Sequence, residues 1–577
     1  MHPAWRDCPV PALRHEALHG DRVVRCFTPR AHNLWRLFAD RALCQPQAEA
    51  LVCGAQRLSY AQCASAATRC AAGLAAHGVQ RGERVLLFID NRPEFIIALL
   101  ALQYLGAIAV PVGVREQRPG LAYIARQCGA MGIVIDAALV RHLPDAEEAP
   151  ALRLRLVVGE MPDSLVDCHS WTQLAQCTDT PPEPAAPGEH EVAVILYTSG
   201  TTGQPKGAML SHANIVHSAM HFACTMQLSA RDRSALAVPA SHVTGLVAVI
   251  FTLLHVGGCV VIVPEFKAAD FIALLAQERI SHTIMVPAMV TLCLMQPGFA
   301  QANLDAWRIG SYGGAPMPLS TIAALAQRLP GLTLMNAYGA TETTSPATVM
   351  PMGHTREHAD TVGVPLPACN MLVMDDRGRE LPPGQTGELW IGGPMVVSGY
   401  WANPEATAAS FTAGYWHSGD LGSIDIDGYV RVFDRKKDML NRGGYKVYSV
   451  EVENQLMAWP GVLEAAVVGR PCPVLGERVH AFVYAPGISA NSADEAALRD
   501  FCAARLADYK VPETITWRSA PLPRNANGKV MKRWLRDDLI GSLEVQGAMP
   551  VMPRAGSAGS DSPASPTSPT GDPGQAA

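Results

Sequence analysis

The chain is 577 residues long, 49% hydrophobic by residue count, with a formal net charge of −6. That length exceeds one simple core and predicts at least two domains. The near-balanced charge, with no basic stripe, excludes a nucleic-acid binder and a polybasic membrane anchor. The fifteen cysteines are odd in number, scattered, and include no C-x-x-C pair, so they read as small buried hydrophobes of a reduced, cytoplasmic chain.

The opening residues lack a charged stretch leading into an apolar one, so no signal peptide is expected, and residues 1–30 form an N-terminal extension. Apolar runs then alternate with helical stretches: ERVLLFID, AIAVPV, MGIVID, LRLVVG, CVVIVP and HTIMVP. Continuous Val/Ile/Leu runs mark strands buried on both faces, which predicts parallel sheets flanked by helices. Phe95–Val112 resembles a membrane span by hydropathy. Gln103 and Tyr104 interrupt it, however, and Gly106 suits a helix C-cap, so a buried helix leading into a strand is expected and no integral membrane segment. Val243–Val263 repeats the pattern, broken at Gly257-Gly258.

Between these two stretches, an apolar strand runs into Thr198-Ser199-Gly200-Thr201-Thr202-Gly203, followed by Pro205-Lys206-Gly207. Small residues let consecutive backbone N–H groups approach an anion, hydroxyls add donors, and Lys206 adds a compact positive charge. The spacing is not that of a Walker A loop, which argues against a P-loop kinase or ATPase. After about Gly384, GELWIGG and GYVRVFDR alternate more closely and suggest antiparallel structure.

The stretch YTSGTTGQPKG resembles the signature of the adenylate-forming superfamily: acyl-CoA synthetases, nonribosomal adenylation domains and luciferase. Five further segments resemble that family's motifs in its order: Gly313-Gly314-Ala315-Pro316; Asn336-Ala337-Tyr338-Gly339-Ala340-Thr341-Glu342-Thr343; Tyr415–Asp420; Asp434–Asp438 with Asn441–Lys446; and Arg524–Lys529. The resemblance spans roughly residues 30–540 and implies an α/β fold. A large N-terminal domain (31–434) would have layered, mostly parallel sheets flanked by helices, plus a β-rich subdomain. A small mobile C-terminal α+β domain (435–545) would follow. Residues 546–577 are rich in Pro, Ser and Gly and read as a disordered tail.

The resemblance further implies an ATP-dependent carboxylic acid–CoA ligase that uses ATP, Mg²⁺ and coenzyme A. In that reading Thr198–Lys206 cradles the outer phosphates, Glu342 holds Mg²⁺ and Thr341 meets the α-phosphate. Tyr338 stacks on adenine, flanked by Asn336, Ala337 and Gly339, while Gly314, Ala315 and Pro316 leave room for the base. Asp420 and Arg435 take the ribose, and Lys529 serves adenylation. Lys437 sits at the hinge, and Gly443 and Gly444 line the thiol path.

His242 resembles the gate beside the acyl site, and the lack of an acid around it argues against an α-amino acid substrate. The segments expected around the acyl site supply Val243, Gly245, Ala340 and Ala347, and Glu342 as the one obvious charge, which predicts a carboxylic acid with an apolar tail, fatty or aryl. A ligase loading an acyl carrier protein and a non-catalytic nucleotide-binding homologue remain as alternatives.

Overall fold

The computed structural model describes residues 2–161, 167–198, 204–488, 491–524 and 530–545. The first large sheet has seven strands, ordered Lys206–Ser211, Val192–Thr198, Ile108–Pro111, Arg84–Phe88, Gly132–Asp136, Leu154–Val158 and His169–Ser170. All pair in parallel except the edge strand Lys206–Ser211. The second has nine strands. Its centre is parallel and runs Thr333–Tyr338, Ile309–Gly313, His282–Met285, Arg233–Leu236, Cys259–Ile262, Glu49–Cys53. The six apolar runs read from the sequence are all strands of these two sheets, as expected where both faces are covered.

The helices that cover them are apolar to match. Every residue of Pro93–Leu105 except Glu94 is buried, and Gly106 closes the helix at φ 65°, where glycine avoids the Cβ clash. The helix His212–Thr225 is buried along its whole length. It starts at a capping box in which the Ser211 hydroxyl accepts from Asn214 N–H and the Asn214 side chain accepts from Ser211 N–H. One hydrophobic core joins these helices to both sheets. The stretch after Val243 corrects a simple helical reading: Thr244–Phe251 is a π-helix that continues as an α-helix over Thr252–Val256.

Residues 2–30 pack against the rest of the chain. Trp5 is buried and donates from Nε1 to Pro365 O at 2.8 Å, and Ala12–Leu18 pairs with Arg22–Thr28 as a hairpin. Arg30 then bridges Glu16 and Glu189, each at 2.7 Å.

A third sheet is antiparallel and includes Gly387–Gly392, Tyr415–Ile424 and Val430–Arg435. The turn Lys436–Asp438 connects it to a fourth sheet of five strands, Leu440–Arg442, Tyr445–Val447, Glu464–Cys472, Gly476–Tyr484 and Thr514–Arg518. The helices Ser449–Met457, Ser492–Ala503 and Lys532–Val545 accompany that sheet, and this unit has its own hydrophobic clusters. It is thus a separate core with α+β composition. Every cysteine is a free thiol. Among the described residues no helix is long and apolar enough to cross a membrane.

Candidate active site

Two parallel strands of the second sheet, Ile309–Gly313 and Thr333–Tyr338, end side by side with Gly313 opposite Ala337. Ligands of open α/β sheets collect at such carboxyl ends. The glycines here are required by space. A Cβ on Gly313 would lie 2.4 Å from Ala337 O, and one on Gly339 would lie 1.5 Å from Ser345 O. Gly314 turns at φ 78°, and Gly314, Ala315 and Pro316 are exposed, leaving an open ledge beside Tyr338.

After Gly339 the chain forms a short 3-10 turn over Thr341–Thr343, then holds Thr344 and Ser345 in the left-handed region at φ 52° and 91°. Such conformations are costly for non-glycine residues and persist only where neighbours over-determine them. Those neighbours are visible. Thr344 Oγ1 donates to Met395 O at 2.7 Å, Val397 N–H donates to Glu342 O at 3.0 Å, and Ala340 N–H donates to Thr343 Oγ1 at 2.9 Å. Glu342 is 8% exposed, and its Oε1 accepts from the Tyr400 hydroxyl at 2.9 Å. Burial, then the Glu342 charge, push the Tyr400 hydroxyl well up, so it stays a neutral donor.

Lys206 opens the strand Lys206–Ser211 opposite Thr198, and its ammonium lies 5.1 Å from the centre of the Tyr400 ring. Ser199, Gly200, Thr201, Thr202 and Gly203, predicted to cradle phosphate, lie outside the described residues. So does Lys529; its flanks Arg524 and Val530 pair across a β-bridge.

A second group lies on the third sheet. Asp420 is 4% exposed, faces Arg435 across the strand pair, and bonds Arg435 Nε at 2.6 Å through Oδ1. Its Oδ2 accepts from the Tyr338 hydroxyl at 2.6 Å. Burial and the Asp420 charge push the Tyr338 phenol well up. Burial opposes the charge on Arg435, but the nearby carboxylates, Asp420 first, outweigh it and raise the guanidinium's pKa. A carboxylate offers about four lone-pair positions, so with two in use Asp420 still has two for a pair of hydroxyls.

His242 is half-buried, with Nδ1 3.4 Å from Thr244 Oγ1, just before the π-helix. Asn91, which sequence reasoning missed, frames the loop that carries it. Its Nδ2 donates to the carbonyls of Leu236, Val238 and Val263 at 3.0–3.2 Å, and its Oδ1 accepts from Ala240 N–H at 2.8 Å. Tyr400 was missed as well. The signal available was an aromatic after Gly399 in VVSGYW, too common a pattern to single out.

Lys437 is exposed in the connecting turn, where Asp438 and Met439 N–H donate to Arg435 O. Gly443 and Gly444, at φ 59° and 93°, form the exposed turn between Leu440–Arg442 and Tyr445–Val447. Gly443 N–H donates to Leu475 O at 2.7 Å and Gly444 N–H to Asn441 Oδ1 at 3.0 Å.

The large unit therefore gathers Lys206, Tyr400 and Glu342 in one group and Tyr338, Asp420 and Arg435 in another. Among the described residues no group of three His, Cys, Asp or Glu side chains is arranged to hold a metal. A single buried carboxylate such as Glu342 is chemically compatible with Mg²⁺, a hard cation bound through one or two carboxylates together with phosphate oxygens and waters.

Comparison with known proteins identifies the relatives of the chain. A family model described as AMP-binding enzyme matches residues 38–401, and one described as AMP-binding enzyme C-terminal domain matches residues 451–529. A feruloyl-CoA synthase of Amycolatopsis sp is 34% identical over 501 residues, covering 86% of this chain and 97% of the relative. A long-chain-fatty-acid–CoA ligase of Mycobacterium tuberculosis is 32% identical over 510 residues, covering 88% and 98%. The o-succinylbenzoate CoA synthetase of Bacillus subtilis, solved with its acyl-adenylate intermediate, superposes with a TM-score of 0.78 at 28% identity, covering 88% of this chain and 98% of that one. The same synthetase with ATP and a magnesium ion gives 0.77 at 27% identity, covering 89% and 100%.

Proposed function

The chain belongs to the AMP-binding enzyme family and is an ATP-dependent acid–thiol ligase, and we propose that it joins a fatty or aryl acid to CoA through an acyl-adenylate. The observation that carries this reading is the pair of groups at the sheet ends: a buried carboxylate fixed beside a lysine, and Asp420 held with acceptor capacity to spare.

In the first half-reaction the acid's carboxylate oxygen attacks the α-phosphorus of ATP, and the bond to pyrophosphate breaks. Two anions meet, so positive charge and donors must stand where negative charge accumulates. Lys206 is assigned to the outer phosphates and Asp420 to the ribose hydroxyls, with Arg435 holding the Asp420 carboxylate in place. Thr341 lies beside Glu342 to meet the α-phosphate. Magnesium held at Glu342 would supply charge neutralisation on the phosphates. Lys529 is assigned to the carboxylate and bridging oxygen in this step.

In the second half-reaction the CoA thiol attacks the acyl carbonyl, and AMP leaves with the bonding pair. Pyrophosphate must depart before a thiol enters, so we assign the change of state to rotation of the small unit about Lys437, bringing Gly443 and Gly444 to the thiol path.

The acid's tail is assigned to the space between His242, the end of Ile309–Gly313 and the turn after Gly339. Val243 and Ala347 are buried there, and among these segments Glu342 is the one carboxylate. The small and apolar side chains of these segments match an apolar tail. The aryl and long-chain acids named for the two relatives suit such a wall. An AMP-release screen across short to long fatty acids and benzoate- or cinnamate-type acids tests the proposal. Apolar acids should give turnover with free CoA. Turnover only with a phosphopantetheinylated carrier protein would replace CoA as acceptor, and no pyrophosphate from any acid would end the reading.

A further inference from the structure

We propose that Tyr400 is a positioning residue that sets the Glu342 carboxylate and the Lys206 ammonium in one arrangement, so that the metal-binding and phosphate-binding groups are organised together. The inference rests on the proposed reaction for its chemistry but on contacts for its substance. The hydroxyl donates to Glu342 Oε1 at 2.9 Å, and the ring face lies 5.1 Å from Lys206 Nζ.

The segment carrying Tyr400 is tied to both sides through its backbone as well. Trp401 N–H donates to Gly207 O at 2.7 Å, and Met209 N–H donates to Gly399 O at 3.1 Å, so the segment pairs with the strand that begins at Lys206. A few residues earlier, Val397 N–H and Met395 O hold Glu342 O and Thr344 Oγ1. Asn214, at the start of the helix after the phosphate loop, donates to Pro394 O at 2.8 Å and Val396 O at 3.2 Å. The Tyr400 ring is seated edge-on against Phe411 at 5.8 Å, and its N–H donates to Thr407 Oγ1 at 3.0 Å, which fix the side chain from behind. One rigid aromatic thus spans the gap between two groups that arrive on different sheets.

The chemistry gives the two halves separate signatures. A donor on Oε1 fixes the orientation of the carboxylate, which pre-sets the metal ligand; partners of this kind change metal affinity by about 10–100-fold when removed. A ring face under an ammonium fixes its position without neutralising its charge.

The test uses the full chain as wild type, Tyr400→Phe and Tyr400→Leu, titrated with ATP by calorimetry with and without magnesium. Tyr400→Phe keeps the ring and loses the hydroxyl. It should raise the magnesium concentration for half-maximal ATP binding by about tenfold or more, while magnesium-free ATP binding stays as in wild type. Tyr400→Leu should also weaken magnesium-free ATP binding. An unchanged magnesium dependence in Tyr400→Phe would overturn the carboxylate half, and equal magnesium-free binding in all three proteins the lysine half. Uniform loss of both half-reactions with a lower unfolding temperature would make Tyr400 merely structural and overturn both. Because binding is the readout, a wild type that binds Mg·ATP but activates no acid would sink the proposed reaction without touching this inference.

Discussion

Tyr338, Asp420 and Arg435 are linked so that each defines the next: the phenol donates to one carboxylate oxygen and the guanidinium to the other. Removing a donor from a buried charged acceptor costs more than an ordinary hydrogen bond. Tyr338→Phe should therefore raise KM for ATP by about tenfold while the protein stays folded. Steady-state kinetics in ATP check this, and an unchanged KM would mean that Asp420 is held by Arg435 alone. The sequence reading gave Tyr338 to adenine stacking; the structure adds the hydroxyl's work on Asp420. That link was not legible because the partners lie 82 residues apart, on different sheets. Tyr400 and Glu342, 58 residues apart, were hidden for the same reason.

At the level of elements, the helix His212–Thr225 contains a pH-sensitive seam. His212 Nδ1 accepts from Leu34 N–H and His217 Nε2 from Phe27 N–H, both at 3.2 Å, while His217 Nδ1 lies 2.7 Å from Ala213 O. These rings must be neutral, since a protonated nitrogen would point a hydrogen at an N–H. Burial first, and for His212 and His217 to a lesser degree neighbouring cations, lower both pKa values to about 4, and that of His221 well below its ordinary value. Between about 6.5 and 4 the unfolded chain then binds protons that the folded one does not, so stability is lost as pH falls through that window. The unfolding midpoint should drop from pH 7 to pH 5, with hydrogen exchange rising first around Phe27 and Leu34. A flat profile would contradict the neutral-ring assignment.

The connecting turn carries a second prediction at this scale. Lys437→Pro keeps the bonds that Asp438 and Met439 make to Arg435 O but stiffens the link. It should spare adenylate formation and slow thioester formation, measured by separate half-reaction assays. Equal rates in both would place the pivot elsewhere.

Over the whole molecule, two parallel sheets share a continuous core, while the small unit has clusters of its own. This division was readable because buried strands are written as unbroken apolar runs, such as GIVID at Gly132–Asp136, which depend little on distant partners. The hairpin Ala12–Leu18 with Arg22–Thr28 was not readable. Its strands are mixed in polarity, and the segment is anchored by tertiary contacts of Trp5 and Phe27. The π-helix Thr244–Phe251 was equally hidden, since an all-apolar stretch shows no period. If the small unit supplies its chemistry through Lys529, Lys529→Ala should abolish pyrophosphate release from acid and ATP yet leave conversion of a supplied acyl-adenylate nearly intact. Parallel loss of both would remove that division of labour.

Asn91 grips the segment before His242 entirely by main-chain atoms, the carbonyls of Leu236 and Val238 and the N–H of Ala240, and ties it to Val263 O at the end of the neighbouring strand. The clamp is therefore indifferent to which side chains the loop displays. If, as proposed, this segment borders the acid's tail, Ser241 and His242 can be exchanged without loss of the Asn91 bonds, whereas Ala240 and Val243 belong to the core. Libraries randomised at Ser241 and His242, with Asn91 untouched, are the economical route to retargeting this ligase.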